Sequence, residues 1–249
     1  MASSVDLPEP EAPTTASASP EVTARSISRR MTSSLDPLFT TFPMPRAVNT
    51  LLLCLFMLFC MPGAAAAEKS ILVVGDSLSA AYGIPRNRGW VALLEERLKK
   101  EHPDYSVVNA SISGETSGGG RVRLKKLLDQ HQPAVVILEL GANDGLRGLQ
   151  AAELKANLSA MIRDSQANKA RVLLIGMKMP PNYGEEYTQA FDAVFRELAK
   201  THKTAFVPFL MEDFAGKQQF FQPDRIHPTV EAQPLMLERV WRALRPLLK

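Results

Sequence analysis

The sequence predicts an α/β fold: a three-layer α/β/α sandwich on a five-stranded parallel sheet. Two observations carry this. Five short, mostly aliphatic runs, starting at Ile71, Tyr105, Ala134, Arg171 and Ala205, alternate with longer segments whose apolar residues recur at helical spacing. The loops after these runs are rich in Gly, Ser, Asn and Pro. With right-handed crossovers, every loop that follows a strand opens at the same edge of the sheet. Residues far apart in sequence, from Ser77 to His227, are thereby gathered at one place.

The elements follow in order. The first strand is Ile71–Val74, four aliphatic residues that read as buried. Gly75 permits a tight turn, and Ser77 lies just beyond it. A helix is expected over 89–100, with Trp90, Leu93, Leu94 and Leu98 as its apolar stripe. The second strand, Tyr105–Ala110, leads through the loop 111–120 into a helix reaching Gln130. The third strand, Ala134–Leu140, is the most aliphatic and belongs at the centre. Residues 141–145 read as a loop, and a long helix follows over 150–167. The fourth strand is Arg171–Met177. Paired prolines and Asn-Tyr-Gly make 178–184 a loop. A helix over 186–200 buries Phe191, Val194, Phe195 and Leu198. The short fifth strand, Ala205–Phe209, and a long loop to Pro228 precede a last helix ending near Leu248.

The amino-terminal part is not expected in this fold. Residues 1–43 are rich in Ser, Thr, Pro and Ala without periodicity, and read as a disordered extension or as a stretch ahead of the true start, at Met44 or Met31. Residues 44–67 have the form of a secretory signal peptide: Arg46, an apolar block from Leu51 to Met61, and small residues at Ala65 and Ala67. The apolar block is short for a transmembrane helix. Cleavage before Glu68 would leave 68–249 as one domain, periplasmic or secreted, with no stable membrane anchor. Both cysteines, Cys54 and Cys60, lie in the leader, which excludes a disulfide or thiol chemistry in that domain. A formal charge of +3 gives no case for nucleic-acid binding. Metal-ligand spacing, a dinucleotide fingerprint and a P-loop are all missing, so neither metal nor cofactor is expected.

Ser77 stands where open α/β sheets place their sites, on the loop at the carboxyl end of a strand. Of the four histidines, His102 and His131 read as helix-end residues and His202 sits near an edge strand. His227 differs: it follows the fifth strand's long loop, three residues after Asp224. Residues so spaced on a turn face the same way, so Asp224 can hold Nδ1 of His227 and leave Nε2 for Ser77. Donors for an oxyanion are available in the Ser77 turn, at the Gly114 N–H and in the Asn143 side chain. Asn143 also suits an ordinary turn, and Gly118–Gly120 reads as a helix entry. Asp76 adjoins Ser77, but neighbours on a tight turn point apart, so it is not assigned to the triad. Ser77 lacks the Gly-x-Ser-x-Gly context of an α/β-hydrolase elbow.

Four segments stand in order: Gly75-Asp76-Ser77-Leu78-Ser79, Gly114 within Ser-Ile-Ser-Gly-Glu-Thr, Gly141-Ala142-Asn143-Asp144, and Asp224-Arg225-Ile226-His227-Pro228. Together they resemble the four blocks of the SGNH (GDSL) hydrolase family. The wording of 109–114 and 143–148 is similar to its periplasmic thioesterase and lysophospholipase members. The resemblance implies a flavodoxin-like fold and a serine esterase that cleaves carboxylic esters and thioesters of fatty acyl groups through an acyl-enzyme, medium chains included. It implies Ser77 as nucleophile, His227 as base, Asp224 as the orienter of His227, and the Ser77 N–H, Gly114 N–H and Asn143 side chain as the oxyanion hole. Glu115 and Ala142 depart from residues frequent in the family, Asp and Gly, without removing a role. An acyl chain needs an apolar groove near Ser77, for which Met179, Pro180, Pro181 and Tyr183 are candidates, with Ile112 opposite. The expected partner is a small ester, thioester or lysophospholipid. A carbohydrate or peptidoglycan O-acetylesterase and a non-catalytic lipid-binding protein remain as alternatives.

Overall fold

Alternation of strand and helix yields one parallel sheet. A computed structural model describes residues 69–249. The expected extension over 1–43 and leader over 44–67 lie outside the described residues. The strands are β1 (Lys69–Gly75), β2 (Tyr105–Asn109), β3 (Val135–Glu139), β4 (Arg171–Ile175) and β5 (Ala205–Val207). The helices are α1 (Trp90–Glu101), α2 (Ser117–His131), α3 (Ala142–Leu146), α4 (Ala151–Ala167), α5 (Glu185–His202) and α6 (Gln233–Leu244).

The sheet order is β2-β1-β3-β4-β5, all parallel. The chain runs from β1 to one neighbour, then crosses back to β3 on the other side. Right-handed crossovers therefore put α1 on one face and α2, α4 and α5 on the other. Accordingly, α1 packs with α6, while α4 packs with both α2 and α5. Every residue of β3 is buried, which fits its central place. Trp90, Phe191 and Phe195 are fully enclosed in the core. The reversal of direction leaves a crevice at the carboxyl ends of β1 and β3, where doubly wound sheets bind ligands. Ser77 follows β1 and Asn143 follows β3.

The strands β3, β4 and β5 are shorter than expected, and three segments expected as loops contain helical turns. Residues 142–146 form α3 where a loop was expected. Asn-Asp-Gly is a poor helix sequence, and tertiary bonds hold it: Asp144 accepts the Ser117 N–H at 2.8 Å and the Ser117 hydroxyl at 2.5 Å. Gly118–Gly120 lie inside the first turn of α2, capped by Thr116. A Cβ on Gly120 would lie 2.4 Å from Leu140 Cδ1, so glycine here permits close approach of α2 to the chain leaving β3. The loop 178–184 contains a single 3-10 turn at Pro181–Tyr183. No helix among the described residues is long and apolar enough to cross a membrane.

Candidate active site

The turn that carries Ser77 is built on close packing. A Cβ on Gly75 would sit 2.7 Å from both Glu139 Oε2 and Ser79 Oγ, so only glycine lets β1 end here. Asp76 Oδ1 then accepts the Leu78 N–H at 3.0 Å and closes the turn. The Ala80 N–H reaches the Asp76 carbonyl at 2.9 Å, and the Tyr82 N–H reaches the Ser77 carbonyl at 3.1 Å. Ser77 is thus carried on a short, hydrogen-bonded turn at the sheet edge.

His227 arrives from the loop before α6. Its Nε2 lies 2.9 Å from Ser77 Oγ and its Nδ1 lies 2.7 Å from Asp224 Oδ2. The other Asp224 oxygen accepts the N–H groups of Ile226 at 2.9 Å and His227 at 3.0 Å. This side-chain turn places Arg225 at φ 61° and fixes the three-residue spacing of Asp224 and His227. Burial works against ionised Asp224, but the His227 N–H and ring and the Ile226 N–H outweigh it and hold the carboxyl at about 2. Gln222 ties this loop to the one that carries Ser77: its Nε2 donates to the Tyr82 carbonyl at 2.9 Å and to the Pro228 carbonyl at 3.1 Å. The Tyr82 ring lies against the imidazole, with centroids 4.4 Å apart.

Asn143 faces the same crevice from α3. Its Nδ2 donates to Asp76 Oδ2 at 3.1 Å and to the Glu115 carbonyl at 3.0 Å. Both amide hydrogens therefore have acceptors, and the bond to the Asp76 carboxylate is the charge-assisted one. The Gly114 loop reaches the nucleophile turn through the Ile112 N–H, which donates to the Gly75 carbonyl at 3.1 Å. Gly114 itself is at φ 79°, where glycine is favoured, and its carbonyl accepts from Arg147 Nη2 at 2.8 Å.

Asp76 accepts from Asn143 and Leu78, while Nδ1 of His227 is held by Asp224. A second carboxyl, Glu139, escaped the sequence reading. Its Oε2 accepts from Ser79 Oγ at 2.6 Å and from the Asp76 N–H at 3.3 Å. The signal was present: Glu139 is the one charged residue in the run 134–140. Burial pushes Asp76 up to about 6, against the Leu78 N–H, the His227 charge and the Asn143 amide. Burial, and then the charge of Asp76, push Glu139 well above the usual carboxylate range.

A cavity of about 590 Å³ opens beside these groups. Ser77, Asn143 and His227 line one part of it. Leu146, Met177, Met179, Phe209, Phe221 and Ile226 make much of its apolar wall, with Pro180 and Pro181. Gly145 allows this packing, since a Cβ there would meet Met179 Sδ at 2.3 Å. The structure does not place Tyr183 or Ile112 on this wall. Tyr183 stacks on Tyr187 and donates its hydroxyl to the Leu146 carbonyl at 3.2 Å. Ile112 is half exposed beside the Gly114 loop. Phe209, Met211 and Phe221, all from the long loop after β5, were missed as wall residues. No cluster of metal-binding side chains occurs among the described residues.

A serine hydrogen-bonded to a histidine, itself held by an aspartate, beside an amide donor and at the switch point of an open sheet, defines the class of serine hydrolases. The chain belongs to the GDSL-like lipase/acylhydrolase family, whose model matches residues 73–234. Esterase TesA of Pseudomonas aeruginosa (strain PAO1) is 53% identical over 183 residues, covering 74% of this chain and 91% of that protein. Thioesterase 1/protease 1/lysophospholipase L1 of Escherichia coli (strain K12) is 44% identical over 184 residues, covering 74% and 87%. The crystal structure of the psychrotrophic esterase EstA from Pseudoalteromonas sp., inhibited by monoethylphosphonate, superposes with a TM-score of 0.69 at 42% identity, covering 73% of this chain and 99% of that one. The chain is an ester hydrolase with the fold of this family.

Proposed function

We propose that the chain hydrolyses medium-chain fatty acyl esters and thioesters, lysophospholipids among them, in the periplasm or outside the cell, with Ser77 as nucleophile. Ser77 Oγ attacks the acyl carbonyl carbon while His227 Nε2 takes its proton. Asp224 holds the imidazole in the required tautomer and stabilises the imidazolium. The Ser77 and Gly114 N–H groups and the Asn143 amide stabilise the oxyanion. As the tetrahedral intermediate collapses, His227 returns the proton to the leaving alcohol or thiol. Water then attacks the acyl-enzyme with His227 again as base, and the fatty acid and Ser77 hydroxyl are released.

One observation supports the acyl preference above others: the cavity that holds Ser77 and His227 is walled by Met177, Met179, Phe209 and Phe221. An acetyl group would leave that apolar surface unfilled. The names of the thioesterase and lysophospholipase relatives agree with this reading. The location rests on the signal-like segment 44–67. A panel of short and medium p-nitrophenyl esters, acyl-CoA, lysophospholipid and acetylated xylan tests the substrate. The reading requires kcat/KM to rise with acyl length beyond acetyl. A preference for acetylated sugar would replace it with an O-acetylesterase. Recovery of a shortened chain from periplasm or medium tests the location, and full-length protein in the cytoplasm would contradict it.

A further inference from the structure

Glu139 is a buried carboxyl that the triad does not use. It closes β3, is 1% exposed, and pairs across the sheet with Gly75, whose missing side chain leaves it room. Its oxygen receives the Ser79 hydroxyl and the Asp76 N–H, both from the nucleophile turn. Asp76, equally enclosed, receives the Leu78 N–H and the Asn143 amide. Neither carboxyl forms an ion pair with Lys or Arg among the described residues. Two neighbouring carboxylates without a cation cannot both stay ionised out of water, and one shared proton resolves the conflict.

We propose that Glu139 is a positioning residue for the reaction: with Asp76 it forms an acid–carboxylate pair beneath the nucleophile turn, which keeps Asp76 an acceptor and so aims the Asn143 amide. The proposal rests on the reading of Asn143 as an oxyanion donor. Burial raises both carboxyls, and Asp76, whose oxygens receive the Leu78 N–H and the Asn143 amide, is the better served as the anion. The charged groups acting on Asp76 are Glu139 from β3, His227 from the loop before α6, and Asp144 from α3. Asp144 is itself held by Ser117 at the start of α2. Protonation of Asp76 would cancel the charge that attracts the Asn143 amide and loosen its aim.

Two variants separate this role from packing. Glu139→Gln keeps the size and an N–H that can donate to Asp76. Glu139→Leu keeps only the bulk. The Gln variant is expected within about threefold of the wild-type kcat. The Leu variant should lose roughly 10–10² in kcat at unchanged KM, part of the worth of one oxyanion donor. Its acid limb should also move to higher pH, because Asp76 has lost a donor. A folded Leu variant with the wild-type kcat and pH profile overturns the proposal, as does a Gln variant impaired as much as Leu. A second readout uses the side-chain NH₂ resonances of Asn143, in His227→Ala protein so that the imidazole does not titrate. A pH titration of these resonances supports the pair even where the Leu variant does not fold, and a flat profile overturns it. If the resonances titrate but wild-type protein cleaves no ester, the pair stands and the esterase reading falls.

Discussion

Replacing Asn143 with alanine separates two roles of one amide. The substitution removes the donor to Asp76 Oδ2, 3.1 Å away, and the donor to the Glu115 carbonyl, 3.0 Å away. If the amide stabilises the oxyanion, kcat falls by roughly 10²–10³, about 2.7–4 kcal/mol of transition-state energy, with little change in KM. The structural cost is distinct. Asp76 is fully buried, so the carboxylate oxygen that Asn143 served loses its partner, at a cost of about 1–3 kcal/mol. That cost depends on pH, with a sign the structure fixes. Asp76 is raised above its ordinary value, so the folded chain holds the proton more tightly than the unfolded one. Its contribution to stability therefore falls as pH rises from the unfolded pKa through the folded one. Loss of the Asn143 amide raises the folded pKa further and extends the window upward. The variant should thus be destabilised more at about pH 8 than at about pH 5. Steady-state kinetics on p-nitrophenyl butyrate and urea unfolding at both pH values measure the two costs. An unchanged kcat with raised KM would refute the oxyanion role, and an equal stability loss at both pH values would refute the coupling to Asp76.

The other expectations concern the same crevice. Gly75→Ala pushes a methyl to 2.7 Å from Glu139 Oε2 and Ser79 Oγ, and should cost about 1–3 kcal/mol in urea unfolding with a loss of kcat; wild-type stability and rate would show the turn to be looser than described. Met179→Ser places a hydroxyl on the apolar wall and should shift the ester preference toward shorter chains, whereas an unchanged profile would remove this loop from the acyl path. For Asp76, raised from 3.8 to about 6, the linkage amounts to about 3 kcal/mol of stability lost between about pH 4 and pH 7. In Asp76→Asn that slope should flatten, and a persisting slope would assign it to other groups.

Much of the sheet was legible because the inner strands β1, β3 and β4 are short aliphatic runs buried on both faces, while the edge strands β2 and β5, only partly buried, are marked by the turn residues around them. The Ser77, Asp224 and His227 cluster was legible for a topological reason, since all follow strands and open at one edge. The placement of Asn143 was legible, but its support was not: α3 is held by Asp144 and Ser117, a contact between segments 27 residues apart. Glu139 is the lone charge in the run 134–140, but one acidic residue in a strand reveals neither its neighbours nor its protonation. The acyl wall was read only in part. Apolar loop residues such as Ile112, Tyr183 and Phe221 look alike in sequence, and only the packed loops decide which face the cavity. Ser79 and Gly75 show the same limit, because what they accommodate is a side chain from another strand.

Covalent labelling tests the central claim most directly. Full-length protein treated with a fluorophosphonate should acquire one adduct, on the peptide carrying Ser77, in step with the loss of esterase activity. Ser77→Ala protein should take up no label, and its turnover should fall by about 10⁶. Labelling at another residue, or a folded Ser77→Ala protein that still cleaves p-nitrophenyl esters at the wild-type rate, would contradict the account.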